Sequence, residues 1–177
     1  TETTGLDPQS KDRIVELAAI RIRDKDRLAY FDSLINPGRA VSFEAFKVNK
    51  ISEEMLFSAP SPSEVIPKFM EFIQGSYLCS YNAGFDLSFL NNELNLLGFK
   101  EIKDVLVVDI LKLARNTIPN LESYALWSVA KSLGIKDVQR HRALADVELT
   151  LQVFYLLNDI IKQRLGQPVK LENITNI

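Results

Sequence analysis

Asp146 has the chemistry of a metal ligand on a helix face that otherwise belongs to the core. At helical spacing it lines up with an apolar stripe formed by Leu149, Val153, Leu157 and Ile160. An unpaired carboxylate on such a face would cost on the order of several kcal/mol or would become protonated. A bound cation would remove that cost, and hard divalent cations prefer carboxylate oxygens.

His141, the only histidine, precedes Asp146 by five residues. On one continuous helix that spacing would put the two side chains about 140° apart. We therefore expect His141 on the loop before the helix, where a mobile base could reach over a metal site. Histidine titrates near neutrality, which suits proton transfer, although a lone histidine is more often incidental. For the flanking Arg140 and Arg142, solvated surface charge and phosphate contact are both open.

Two more acidic residues have ordinary explanations when each is taken alone. Asp86 stands before a predicted amphipathic helix, where a carboxylate commonly caps exposed backbone amides. Glu2 has little local context and would be read as a surface residue. Gly5 follows Glu2 in a turn-prone run and is accounted for as a turn residue.

Strands that alternate with helices must position these side chains. Period-two patterns predict strands at 14–23 and 27–35, joined as an antiparallel hairpin, and shorter strands at 76–81 and 106–109. Predicted helices begin at the capping box of Ser61 and at residues 86, 110, 123 and 142, the last reaching residue 165. A hairpin followed by alternating strands and helices predicts an α/β fold with a mixed sheet covered by helices.

Composition limits the class of protein. The 177 residues, 46% of them hydrophobic, fit one domain at 1–165, with a tail or linker at 166–177. No apolar run approaches the length that crosses a bilayer, so we expect no membrane contact and a cytoplasmic location. A single cysteine, Cys79, excludes internal disulfides and is expected as a small buried strand residue. The net charge of −2 argues against tight binding of long nucleic-acid duplexes.

Three ordered segments of the chain together resemble one family, the DnaQ-like 3′ to 5′ exonucleases of the DEDD group that use histidine. Its members carry Asp-x-Glu-Thr-Thr-Gly, then Asn-Ala-x-Phe-Asp, then His-x-x-x-x-Asp. The matching residues are 2–5 (ETTG), 82–86 (NAGFD) and 141–146 (HRALAD). Supporting similarity lies at 15–20 (VELAAI), 108–115 (VDILKLAR) and 123–126 (SYAL). The resemblance extends from Thr1 to about Leu157. Within the family, the chain is similar to the proofreading domains of bacterial DNA polymerase III.

The resemblance implies an RNase H-like fold and a two-metal phosphodiester hydrolysis that uses Mg²⁺ or Mn²⁺. Glu2, Asp86 and Asp146 would hold the metal ions, with His141 as the general base. The residues implied to contact the terminal nucleotide are Thr3, Thr4, Leu6, Asn82 and Phe85. For Phe85 an ordinary packing role in the core is an equal alternative.

Two positions depart from the family pattern. Tyr81 stands where many relatives have a histidine, and we expect only a mild consequence. The family's first aspartate would precede Thr1, together with the central strand that carries it. We therefore expect the fold in this chain to lack that strand, and activity to depend on the residues ahead of Thr1.

The expected function is trimming of a single-stranded or frayed 3′ end of DNA, with release of nucleoside 5′-monophosphates. The expected role is proofreading or repair, with a polymerase subunit as a partner. RNA 3′-end trimming is one alternative, because DNA and RNA trimmers share these motifs. The other is a catalytically silent domain that binds nucleic acid or docks a partner.

Overall fold

A computed structural model describes residues 1–103, 105–137 and 139–166. The described strands are β1 (Glu2–Thr3), β2 (Ile14–Arg23), β3 (Asp26–Leu34), β4 (Leu78–Ser80) and β5 (Val107–Asp109). The described helices are α1 (Phe43–Asn49), α2 (Glu53–Phe57), α3 (Pro62–Ile73), α4 (Ala83–Leu96), α5 (Ile110–Thr117), α6 (Leu126–Ser132) and α7 (Ala143–Leu165). This order confirms the predicted α/β architecture. Helices α1 and α2 were not predicted, and residues 167–177 of the expected tail lie outside the described part.

The described strands form two sheets, whereas the sequence predicts one mixed sheet. Strands β1, β2 and β3 are antiparallel in that order, with Glu2 opposite Glu16, and the predicted hairpin of β2 and β3 is confirmed. Strands β4 and β5 form a parallel pair. A groove of about 600 Å³ lies between residues 17–23 of β2 and residues 76–80 around β4.

Two main apolar clusters hold the sheets and helices together. One joins β5 to α5, α6 and α7, and it includes Leu149, Val153 and Leu157 of the predicted helix stripe, each at most 2% exposed. The other packs β2 against α3 and α4 around the fully buried Phe89. Because α7 also packs against β2, its first turn is held beside the start of that strand.

Helix α4 begins three residues earlier than the sequence predicts. Its N-cap is Asn82, in the left-handed region at φ 63°, and the first helical residue is Ala83. Asp86 therefore lies within the first turn, and the alternative that it caps the helix is wrong. The early start brings Asp86 beside β4, because its carboxylate accepts a hydrogen bond from Ser80 at 2.6 Å.

Cys79 lies in β4, as predicted, but it is exposed, so the expectation of a buried cysteine is wrong. In the described part of the chain β4 pairs with β5 along one edge only, and its other edge borders the groove. Within that same part, no helix has both the length and the apolar character needed to span a membrane.

Candidate active site

Glu2 reaches the site from β1, where it pairs with Glu16 of β2. The pKa of the Glu2 carboxyl is raised to about 7, chiefly by burial; the carboxylates of Asp146 and Glu16 contribute to the rise, and the Thr1 amino group and a hydrogen bond from Asn49 oppose it. A carboxyl held this way is one that a positive charge would stabilise in its ionised form.

Asp86 is satisfied by hydrogen bonds in the first turn of α4. Its carboxylate accepts from the Ser80 hydroxyl at 2.6 Å, the Thr1 hydroxyl at 2.7 Å and the Thr1 amino group at 2.9 Å. Burial by itself raises the pKa of Asp86, but the Thr1 amino group and these hydrogen bonds outweigh it and hold the pKa below its usual value. Asp86 is therefore an ionised carboxylate at neutral pH.

Asp146 lies in the first turn of α7 and receives three hydrogen bonds from the preceding loop. The donors are the Gln139 side chain at 2.9 Å and the backbone N–H groups of Arg140 and His141, each at 3.2 Å. The carboxylate is therefore not unpaired in the absence of a cation, because the loop already donates to it. These hydrogen bonds also fix the loop against the helix.

The three acidic side chains all act electrostatically on Thr1. Burial lowers the pKa of the Thr1 amino group, but Asp86, Glu2 and Asp146 all raise it, and the net result is a raised pKa. These carboxylates come from β1, α4 and α7. Carboxylate oxygens are the ligands that a hard divalent cation prefers.

The carboxylates of Glu2, Asp86 and Asp146 are chemically suited to bind a metal ion. Those of Asp86 and Asp146, however, already accept hydrogen bonds from other groups. Among the described residues, no three His, Cys, Asp or Glu side chains stand close enough as placed to share one ion. Asp146 is turned to its loop and Asp86 to Ser80 and Thr1. A metal would compete with these hydrogen bonds for the same oxygens.

His141 lies on the loop before α7, as predicted from its spacing to Asp146. Its backbone is in the left-handed region at φ 51°, and the residue is half-buried. Among the described residues the imidazole makes no hydrogen bond, so both of its nitrogens are available to a ligand. The next residue but one, Ala143, begins the helix.

Thr3 and Thr4 are buried, at 7% and 1% exposure. The Thr3 hydroxyl donates to the Gly5 carbonyl at 2.5 Å. The Thr4 hydroxyl donates to Asp12 at 3.0 Å and accepts from the Arg13 backbone N–H at 3.1 Å. These contacts place both threonines in the support of the turn, with their hydroxyls directed into the protein.

Three other predicted contact residues differ in their surroundings. Leu6 is 85% exposed at the outside of the turn. Asn82 is exposed, and its side chain makes no capping bond. Phe85 is half-buried, with its ring centroid 4.8 Å from that of Phe89, and it packs against the second core cluster. The packing alternative for Phe85 therefore has direct support.

A buried ion pair that the sequence did not reveal anchors the histidine loop. The side chain of Glu16 is 3% exposed and accepts from the Arg142 guanidinium, at 3.0 Å from Nε, and from the Ala143 backbone N–H at 2.7 Å. A free surface charge, one of the two alternatives for Arg142, is therefore wrong, and the phosphate contact stays a prediction. The available signal was Glu16 itself, a charged residue inside an apolar strand.

Tyr81 and Asn49 are further supports of the site. The Tyr81 hydroxyl donates to the Tyr124 carbonyl at 2.6 Å, which ties the end of β4 to the segment before α6. Asn49, 2% exposed at the end of α1, donates to the Thr3 carbonyl at 3.3 Å. Asn49 had no sequence signal, because α1 itself was not predicted.

Comparison with known proteins decides the family. The RNase_T family model, described as "Exonuclease", matches residues 1–154. The chain belongs to this exonuclease family. The match spans Glu2, Asp86, His141 and Asp146, and it confirms the resemblance to DnaQ-like 3′ to 5′ exonucleases. The domain is therefore an exonuclease domain of that group, whose members generally use two divalent metal ions.

Relatives of this exonuclease domain include proteins named as DNA polymerase III. A DNA polymerase III subunit epsilon from Rickettsia prowazekii is 40% identical over 163 residues, which cover 89% of this chain and 71% of that protein. A PolC-type DNA polymerase III from Caldanaerobacter subterraneus is 36% identical over 153 residues, 86% of this chain. The chain spans only 11% of that polymerase's length.

A solved exonuclease structure shares the RNase H-like fold. Exonuclease X in complex with 5′ overhanging duplex DNA is 25% identical, with a TM-score of 0.72, and the match covers 99% of this chain and 96% of that one. The match confirms the fold class predicted from the sequence.

Proposed function

We propose that this exonuclease domain removes nucleotides from a frayed, single-stranded 3′ end of DNA, with two Mg²⁺ or Mn²⁺ ions, as the proofreading activity of a replicative polymerase. The observation that carries the proposal is the placement of Asp86 against Thr1, the neighbour of Glu2, together with the contact of Asp146 with the His141 loop. The polymerase III names of its relatives support a polymerase partner and work in the cytoplasm.

Each side chain of the site has a separate task in the proposed reaction. Glu2, Asp86 and Asp146 would hold the two cations, which when bound neutralise phosphate charge and lower the pKa of a water. His141 would take the proton from the attacking water, a role suited to an imidazole on the loop beside Asp146 with both nitrogens available. The 3′-terminal phosphodiester is thereby hydrolysed to a nucleoside 5′-monophosphate and a shortened strand.

The terminal nucleotide is held by the turn after β1 and the start of α4. Leu6 and Asn82 contact it directly because their side chains are exposed. Phe85 forms an apolar wall from its packed position beside Phe89. Thr3 and Thr4 act through the shape of the turn that their hydroxyls maintain.

Asp146→Ala is the direct test of the exonuclease proposal. A 5′-labelled oligonucleotide incubated with Mg²⁺ or Mn²⁺ and the full-length protein should give a ladder that shortens from the 3′ end. Loss of a metal ligand should slow that trimming by more than about a hundredfold, since metal binding supplies several kcal/mol of charge stabilisation. Asp159→Ala, which removes an exposed carboxylate from the same helix, is the matched control.

Two outcomes would redirect the proposal. Wild-type protein that binds the oligonucleotide but never trims it with either metal would identify a silent binding domain. An RNA strand trimmed much faster than DNA of the same sequence would identify an RNA 3′-end processing enzyme. Trimming that persists unchanged in Asp146→Ala would contradict the assigned site.

Added Mn²⁺ or Mg²⁺ should raise the thermal unfolding temperature. The cation binds the folded carboxylate site and not the unfolded chain, so saturation at about a hundred times Kd stabilises by roughly 2.7 kcal/mol. For a domain of this size that corresponds to a shift of about 5 to 10 °C. Differential scanning fluorimetry should show the shift in wild type and Asp159→Asn, and much less of it in Asp146→Asn. Equal shifts in all three would place the bound metal elsewhere.

A further inference from the structure

Helix α1 presents an exposed face of two aromatic rings and two lysines. At 100° per residue, this face spans an arc of about 100°. Its members are Phe43, Phe46, Lys47 and Lys50, the last being the residue that ends the helix. Phe43 is 63% exposed and Phe46 is 39% exposed. Exposed apolar side chains that lie side by side, rather than scattered singly, are candidates for a contact site.

The lysines are directed along the rings rather than toward acidic partners. Lys47 Nζ lies 4.2 Å from the Phe43 ring centroid, and Lys50 Nζ lies 5.9 Å from that of Phe46. Within residues 1–103, 105–137 and 139–166, neither lysine is in a described ion pair. Glu44, the acidic residue of α1, lies about 100° around the helix from Phe43, outside this face.

The other side of α1 is joined to the active-site turn. Asn49 donates to the Thr3 carbonyl at 3.3 Å, and the backbone N–H of Ser42 donates to the Thr4 carbonyl at 3.2 Å. Thr3 directly follows Glu2. The aromatic and basic face therefore belongs to a helix whose two ends are hydrogen-bonded to the turn that follows Glu2, a proposed metal ligand.

We propose that this face, formed by Phe43, Phe46, Lys47 and Lys50, binds a single strand of nucleic acid on the 5′ side of the terminal nucleotide. The inference rests on the proposed exonuclease function and names where the rest of that substrate lies. Bases stack on the two rings, and the lysines contact the phosphates between them.

Charge and chemistry favour this occupant over a protein partner. Any base can stack on a phenyl ring, so a sequence-independent enzyme gains affinity without base readout. The chain carries a net charge of −2, so a local pair of unpaired lysines is a distinctly positive place for a phosphate backbone. A strand held here would also extend from the site without requiring a duplex.

Binding without catalysis tests the surface. A 5′-fluorescein oligothymidylate of about ten nucleotides is titrated in EDTA and followed by anisotropy. Phe43→Ala and Phe46→Ala should each weaken binding by about fivefold or more, the equivalent of at least about 1 kcal/mol per stacked base. Phe43→Tyr and Phe46→Tyr keep the rings and should restore affinity. Lys47→Gln and Lys50→Gln should each flatten the salt dependence, by about 0.7 in the logarithmic slope.

Phe99→Ala is the matched control, because Phe99 is 49% exposed at the far end of α4. The surface is overturned if the Phe43→Ala and Phe46→Ala double variant, with an unchanged melting temperature, binds like Phe99→Ala, or if wild type binds no oligonucleotide at low salt. Binding that depends on the rings in a protein that never trims DNA would instead refute the exonuclease proposal alone. Normal trimming with ring-independent binding would refute only this surface.

Discussion

His141→Ala is expected to lower kcat for 3′-end trimming by about 10² to 10⁴-fold, the usual contribution of a general base. The loop geometry supports a large effect on chemistry with a small effect on folding. The backbone N–H of His141, not its ring, bonds Asp146, and that bond survives the substitution. Half-burial of the residue likewise implies little lost packing.

Single-turnover trimming of a labelled oligonucleotide at saturating Mg²⁺ measures this effect. Asp159→Ala is the control, since it alters an exposed side chain on α7 that has no part in the site. The thermal shift on metal addition should be the same in His141→Ala and wild type, because the carboxylates are unchanged. A His141→Ala protein that retains the wild-type rate would show that the base is another group.

The position of His141 on the loop before α7 could be predicted from the sequence because it depends on spacing along the chain. His141 and Asp146 are five positions apart, so their side chains cannot share one face of a helix, and the structure places the histidine on the preceding loop. Period-two and helical patterns likewise gave β2, β3 and α7 nearly to their ends. Each of these elements has a long apolar pattern that tertiary contacts reinforce.

The missed features depend on contacts between distant residues. The Glu16 to Arg142 pair joins positions 126 residues apart, and no local pattern encodes such a partner. Short helices such as α1 carry too few turns for a clear apolar period. The hydrogen-bond partners of Asp146 were missed for a related reason, since backbone N–H groups of a loop have no signature in the residue types that precede a helix.

Arg142→Ala should be the most destabilising substitution of a charged residue near the site. Glu16 is 3% exposed, and the guanidinium is its cationic partner. Removal of one member of such a pair leaves a buried, uncompensated carboxylate, at a cost of about 3 to 5 kcal/mol. We expect about 3 kcal/mol here, because Arg142 is 43% exposed and the Ala143 N–H still donates to Glu16. Denaturant unfolding measures the difference.

The pair also orients the His141 loop, so the same substitution should reduce kcat in the folded protein. If Arg142 had only a structural role, its substitution would lower stability and leave kcat unchanged in the folded protein. If Arg142 also positions the loop, its substitution lowers kcat even at temperatures well below that of unfolding. Glu16→Gln combined with Arg142→Ala leaves no buried charge at position 16 and should be less destabilising than Arg142→Ala alone. Arg27→Ala is the control, since it breaks the exposed pair with Glu148 and should cost less than about 1 kcal/mol. If Arg142→Ala proves no more destabilising than Arg27→Ala, the Glu16 pair does not hold the loop, and the position of His141 must depend on the hydrogen bonds to Asp146.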